Sequence, residues 1–367
     1  MSSVDRGLHS QTLHHSFIDA FSTPLPSLAA TLDKAYVTGM ESGDHEIATL
    51  CLCSTNVNGF MLGVPLKTLE EDACVVLDLI EQYQQQSVKC LFVPWRQMLT
   101  GIQTTDSSAL SWREEALIHL QQGKMKDGED TFEQLWTYLS RMNTAFFFGD
   151  IELADVCRRI LKFYRKVDIH FNSATMNAFL GCLVACAMYH KKGTREYRTD
   201  AKKELDRMRK FVRTGGVNLI HRLQLMEAEV ASIWQRPVDY ETAIHSATRA
   251  GFLSDAALAN ELCAAYCARQ NDHGTWAQHY ITHAYQLYDT WGCASKLAHI
   301  RKVWDLDEIP HKSTRSTFKV RYDLFSTRQE LERNFSRRET LSEKIDPSAL
   351  VVDPTSCRSW SVPSTAP

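Results

Sequence analysis

Three residue pairs stand where an α-helix would turn them onto one face: Cys182 with Cys186, Cys263 with Cys267, and His279 with His283. Thiolates or imidazoles at i and i+4 make half of a zinc site, but a closed site needs four ligands in a tetrahedron. Neither a C-x-x-C nor a second histidine pair lies near any of them in sequence, and "HYITH" lacks the glutamate of the H-E-x-x-H motif. The expectation is core thiols and helix-surface histidines, with no metal and no cofactor. Cys51 and Cys53, at i and i+2, do not share a helical face and carry the same expectation. Nucleophilic catalysis needs a cysteine or serine beside a histidine that a carboxylate orients. Eleven cysteines and fourteen histidines make chance proximity common, and no motif singles out one such group. No catalytic residue is assigned, and the chain is expected not to be an enzyme.

Charge offers a second kind of chemistry. Between Lys191 and Arg213 stand ten Lys/Arg against four Asp/Glu. Lys202, Lys203, Arg207, Lys210 and Arg213 form a strip for an anionic partner, either an acidic protein surface or a phosphate backbone; Lys203, Arg207 and Lys210 share one helical face opposite Leu205 and Met208. The simpler reading is the solvated face of a surface helix whose acids pair locally. Aromatic residues that would stack bases are sparse, Tyr197 and Phe211 being the candidates, so nucleic acid is disfavoured. Thr340 follows Arg337 and Arg338 by two residues, an arrangement that suits a basophilic kinase; the simpler reading is an inert polar tail. Trp95, Trp136, Trp276 and Trp291 fall at helical positions and are expected in the core or between repeats, whereas Trp360 stands in the tail.

The elements that must position these residues are helices. From about residue 25 to 304, segments of 12 to 20 residues carry apolar side chains at i, i+3, i+4 and i+7, separated by short Gly, Pro, Asp or Ser punctuation. This reads as about thirteen helices and no strand. "GDHEIA" (Gly43 to Ala48) returns as "GDIELA" (Gly149 to Ala154). Each is a joint: glycine takes the left-handed conformation that ends one helix, aspartate caps the next, and glutamate sits in its first turn. An alanine precedes the punctuating glycine by eight residues at Ala35 and Gly43, Ala243 and Gly251, and Ala284 and Gly292. A hairpin recurring every ~35 to 41 residues is the mark of an α-solenoid. In "DAALANELCAAYCARQ", Leu258, Leu262, Ala265 and Tyr266 line one side, and Ala256, Ala259, Cys263 and Cys267 another, so this helix must be covered from two directions.

The totals agree with an intracellular helical protein. A formal net charge of -3 leaves no global field for nucleic acid or an anionic membrane. The N-terminus lacks the basic and apolar regions of a secretory signal, the thiols read as reduced, and the longest apolar run, Ala178 to Tyr189, is too short to span a bilayer. The expected location is the cytoplasm. Domain boundaries fall at 1–24 (disordered tail), 25–308 (helical repeats), 309–344 (basic polar extension, one exposed helix) and 345–367 (disordered tail).

"NLIHRLQLMEAEVASIW", "YETAIHSATRAGFLSDAALANELCAAYCARQN" and "WAQHYITHAYQLYDTWGCASKLAHI" resemble the TPR-like helical module of large signalling proteins. "AYVTGMESGDHEIATLCLCSTNVNGFMLGVPLKTLEED" resembles the beginning of the same module. In those proteins a serine/threonine kinase domain and a P-loop ATPase precede the module, and GAF and histidine-kinase domains follow it. The resemblance covers roughly residues 30 to 305 and implies a right-handed superhelix of TPR-like antiparallel hairpins. It also implies a non-catalytic protein-interaction or domain-coupling role, with a kinase or P-loop ATPase as partner. No phosphate loop, kinase motif or histidine-kinase box occurs in this sequence, so none of the family's catalytic residues carries over. The alternative is a fragment of a multidomain ATPase/histidine kinase whose catalytic domains lie elsewhere.

Overall fold

The expected joints fold as joints. In the computed structural model, which describes residues 22–103, 113–122, 131–164, 171–270 and 276–305, Gly43 has φ +77° and separates α1 (Leu25–Ser42) from α2 (His45–Met61). The Asp44 carboxylate accepts from the Ile47 N–H at 3.2 Å. Gly149, φ +75°, divides α6 (Thr131–Phe147) from α7 (Ile151–Leu161) in the same way. There the Asp150 N–H donates to the Ala145 carbonyl at 2.8 Å and the Asp150 carboxylate accepts from the Leu153 N–H at 3.1 Å. Nothing crowds a Cβ at Gly43, so the positive φ is the reason for glycine there.

Between and beyond these hairpins run α3 (Leu66–Gln82), α4 (Gln86–Gln103), α5 (Arg113–Gln122), α8 (Phe171–Lys192), α9 (Arg195–Arg213), α10 (Ile220–Ile233), α11 (Glu241–Ala250), α12 (Leu253–Arg269), α13 (Trp276–Trp291) and α14 (Ala294–Trp304). A 3-10 turn, Val217–Leu219, leads into α10. The described residues thus hold fourteen α-helices and no strand, one helix more than the periodicity suggested. α5 carries the faintest pattern, burying only Ala116 and His119.

α5 packs chiefly on α7; otherwise helices consecutive in sequence pack on one another, and the even-numbered helices from α2 to α12 also pack on the next even one. An apolar core runs through this array from Ala116 to Cys263. The expected buried helix is there: Ala178 to Cys186 is enclosed without a break because α8 is covered from several sides. α12 likewise buries Leu253 to Ala257 and then Ala259, Asn260, Cys263 and Ala264, fitting its apolar girth.

Two contacts depart from a run of neighbours. α12 packs on α2, and α14 packs on α4. Asn218 donates to the Thr23 carbonyl at 2.8 Å and accepts from the Leu25 N–H at 3.2 Å, although some 190 residues separate them. The Cys293 thiol reaches the Ile102 carbonyl at 3.3 Å, and the Ser295 hydroxyl donates to the same oxygen. The array therefore closes on itself, and its inner side is not an open groove along its length. No helix among the described residues is long and apolar enough to cross a membrane. The expected tails and the 309–344 extension lie outside the described residues, apart from residues 22–24.

Candidate functional site

Closure leaves a cavity of about 80 Å³ at the centre of the array. The inward ends of α2, α4 and α6 supply Phe60, Met61, Trp95, Ile102 and Phe147; from the opposite side, α8, α10, α12 and α13 supply Phe179, Arg222, Asp255, Leu258 and Trp291. The aromatic rings meet edge to face. Phe60 lies 5.2 Å from Trp95 and 5.1 Å from Trp291 by ring centroids, and Phe147 lies 6.3 Å from Trp291. Such pairs hold their relative angles better than aliphatic contacts do, because the ring edge is positive and the face negative. Trp95 is fixed further by donating to the Asn56 side-chain oxygen at 2.9 Å, while Asn56 donates to the Leu69 carbonyl.

One charged pair stands in the wall. The Asp255 carboxylate accepts from the Arg222 Nε at 2.7 Å and from the His221 Nε2 at 2.7 Å. Burial would raise the Asp255 carboxyl, but the guanidinium and the imidazole hydrogen bond hold it well below the usual carboxylate range. Burial lowers the His221 imidazole below its ordinary value against the pull of Asp255, which favours the neutral ring donating Nε2–H. The ring stacks on Phe252 at 4.2 Å, and Arg222 lies 4.9 Å from the Phe179 centroid. A carboxylate, an imidazole and a guanidinium so locked to one another form a structural triad. Among the described residues the partners of His221 are Asp255 and the Phe252 ring.

A second ionic knot seals the closure beside the cavity. Lys296, 2% exposed, pairs with Glu261 at 2.7 Å and donates to the Phe147 carbonyl, with its ammonium 4.6 Å from the Phe147 ring centroid. The Tyr288 hydroxyl donates to the other Glu261 oxygen at 2.9 Å.

The basic residues that the sequence grouped all lie on α9. Leu205 and Met208 are buried beneath α9, while Lys202, Lys203, Lys210 and Arg213 are exposed. Arg207 is half-buried, 3.8 Å from Glu204 and lying over the Phe211 ring. Lys202 edges an open groove of about 510 Å³ between α9, α10 and the start of α11, which the other four do not line. The neighbouring Arg209 is held by Glu227 at 2.9 Å. Cys182 and Cys186 are buried in α8, Cys263 and Cys267 lie on α12, and His279 and His283 stack edge to face at 4.3 Å on α13. Among the described residues no three His, Cys, Asp or Glu side chains gather where a metal ion would be held. Trp95 and Trp291 are buried as expected, but Trp276 is 53% exposed and is corrected from a packing residue to a surface one. It is the first residue of α13. Thr340 and Trp360 lie outside the described residues.

Sequence reasoning missed the cavity, because no local pattern tells Phe60 that it will face Trp291. The available signal was a set of aromatic residues at helix ends, "NGFM" and "AFFFGD", just before left-handed glycines or turns. Comparison with family models, with curated proteins and with solved structures finds no match.

Proposed function

We propose that the chain is a TPR-like right-handed superhelix of helical hairpins, working in the cytoplasm as a non-catalytic protein-interaction or domain-coupling module. Its partner is a kinase or P-loop ATPase of a signalling pathway. The resemblance of residues 30 to 305 to the module of such proteins supports this, as does the packing of most consecutive helices on one another and of the even-numbered helices from α2 to α12 on the next even one. The observation that carries it is the closure. Asn218 holds the start of α1, and Ser295 holds the end of α4, so segments far apart in sequence share one junction. A domain or partner attached at one end of such a module is mechanically linked to whatever is attached at the other.

The resemblance also favours the reading that this chain is a fragment of a multidomain ATPase/histidine kinase. Sequencing the transcript past both ends separates the two. A frame that continues into a P-loop or kinase domain assigns the coupling to one polypeptide; a frame that stops assigns it to a separate partner. The purified chain is expected to show neither ATP turnover nor phosphotransfer, and clear turnover of its own would overturn both readings.

A further inference from the structure

We propose that His279 and His283, on the outer face of α13, form an open two-histidine site for a divalent late transition-metal ion. Cu²⁺ binds it most tightly and Zn²⁺ less so, with water completing the coordination. Three pairs in this chain stand at the i, i+4 spacing by which a helix sets two ligands on one face. Burial tells them apart. Cys182 and Cys186 are enclosed completely and Cys263 is 5% exposed, so an ion would have to shed its water to reach either cysteine pair. Burial also pushes the Cys186 and Cys263 thiols up, away from the thiolate that binds metal. Of the three pairs, only the histidines are both exposed.

Their surroundings leave the ring nitrogens available. His279 meets Trp276 at 5.9 Å, Tyr280 at 5.3 Å and His283 at 4.3 Å, each edge to face. No hydrogen bond or ion pair to another described residue occupies either imidazole. Partial burial, and then the neighbouring imidazole, hold His283 below its ordinary value, so at pH 7 its ring is neutral and offers a lone pair. The Glu241 carboxylate of α11 is engaged by the Tyr280 hydroxyl at 2.7 Å. No third His, Cys, Asp or Glu joins the pair among the described residues, so the protein supplies two nitrogens and solvent the rest.

Two metal–nitrogen bonds of about 2.0–2.1 Å at a right angle place the nitrogens ~3 Å apart. Rings 4.3 Å apart by centroid are close enough to reach that by turning about their Cβ–Cγ bonds. A closed zinc site needs four protein ligands, which is why the sequence points to none; an open site has no such requirement. Two imidazoles with water suit the tetragonal preference of Cu²⁺, the affinity falls from Cu²⁺ to Zn²⁺, and Mg²⁺, which takes oxygen ligands, is excluded.

His279 stands in the first turn of α13 and His283 in the second. An ion bridging them finds its two ligands preset only while the helix is formed, so it stabilises the folded chain by mass action. The inference goes beyond the coupling reading and does not depend on a kinase partner.

The test titrates the full chain, first freed of metal with a chelator, with Cu²⁺, Zn²⁺ and Mg²⁺ by calorimetry. Indole quenching by Cu²⁺ is followed in parallel, the share of Trp276 being taken from Trp276→Phe. One Cu²⁺ site is expected, with Zn²⁺ weaker and Mg²⁺ without effect, and the electron paramagnetic resonance of bound Cu²⁺ should show two imidazole nitrogens. Because two ligands on one helix make the second bond intramolecular, His279→Ala or His283→Ala should each weaken Cu²⁺ binding by at least about tenfold. Either change should also abolish the Trp276 quenching and the rise in melting temperature. His245→Ala, at an exposed position on α11, should change none of these. His279→Gln replaces the alanine variant if circular dichroism shows that variant to be unfolded. Cu²⁺ bound as well by the double variant His279→Ala with His283→Ala, an adventitious ion only, would overturn the proposal. An equal loss from His245→Ala, or Mg²⁺ bound as tightly as Cu²⁺, would do the same.

Discussion

Two regions of the molecule are held together by different means. From Ala116 to Cys263 the core is apolar and continuous, made by helices adjacent or nearly adjacent in sequence. At the closure, Ser295 reaches the Ile102 carbonyl of α4, Asn218 reaches Thr23 and Leu25 at the start of α1, and Lys296 reaches the Phe147 carbonyl of α6, all three being buried polar side chains with partners far away in the chain. Apolar contacts between sequence neighbours cost little loop entropy and tolerate small shifts. Contacts that span about 190 residues carry a larger closure cost, and their buried hydrogen bonds make them directional, fixing one register. The closure is thus the part of the fold suited to open while the core persists.

The largest break in that contrast should come from Lys296→Ala. It strands Glu261 and the Phe147 carbonyl, so the expected loss is about 3–5 kcal/mol, measured by urea denaturation. The double variant Lys296→Met with Glu261→Gln should lose less than the single one, because no charge is left unpaired. Equal losses would show that packing, and not the ion pair, holds this junction. Asn218→Ala comes next. It removes one acceptor and one donor from the start of α1, for about 1–3 kcal/mol. Hydrogen exchange should then rise in α1 while α8, inside the apolar core, keeps its protection. A uniform rise through both helices would merge the two regions into one cooperative unit.

The contrast also explains what could be read in advance. Gly43, Gly149, Gly251 and Gly292 all adopt the left-handed conformation expected of them, with φ between +75° and +83°. The joints were legible because helix termination is decided within five or six residues. Ala178 to Cys186 was legible as a buried helix for the same reason: an unbroken apolar run must be covered whatever covers it. The partner of Asn218 was not legible, since nothing local to residue 218 specifies residues 23 and 25. Asp255 and Lys296 were hidden too, because a charge in a sequence reads as solvated until its counter-ion from another helix is placed beside it. Trp276 was misplaced because helical spacing assigns a residue to a face and does not reveal whether a neighbour covers it.

Acidification should weaken the fold through histidines that burial holds below their ordinary value, His190 being lowered to about 4. Burial lowers His221 below its ordinary value, so below about pH 6.5 the unfolded chain takes up a proton that the folded ring resists, and stability falls as pH drops from 7 to 5. His283 and His299 are shifted the same way by burial and add to the slope. Asp255 acts lower. Its depressed carboxyl contributes stability above about pH 4 that is lost as pH falls further. His221→Gln should flatten part of the decline in the urea midpoint between pH 7 and 5 while leaving the fall below pH 4. An unchanged profile would remove His221 from the account.

The smallest effect is expected on the outer face of α9. Lys203 and Lys210 are exposed, and the Leu205 and Met208 side chains beneath them do the packing. Lys210→Gln should change stability by no more than about 0.5 kcal/mol. Its use is to sharpen the comparison, because a surface charge and a closure charge differ in their response to salt. Exposed charges are screened over about 10 Å at 0.1 M salt, whereas the Lys296 ammonium, paired at 2.7 Å and out of water, is barely screened. Raising salt should therefore leave the penalty of Lys296→Ala nearly constant while erasing any difference between Lys210→Gln and the parent chain. If an acidic protein does use the α9 strip, Lys210→Gln weakens that complex at low salt only, with the fold untouched, which separates a binding role from a structural one.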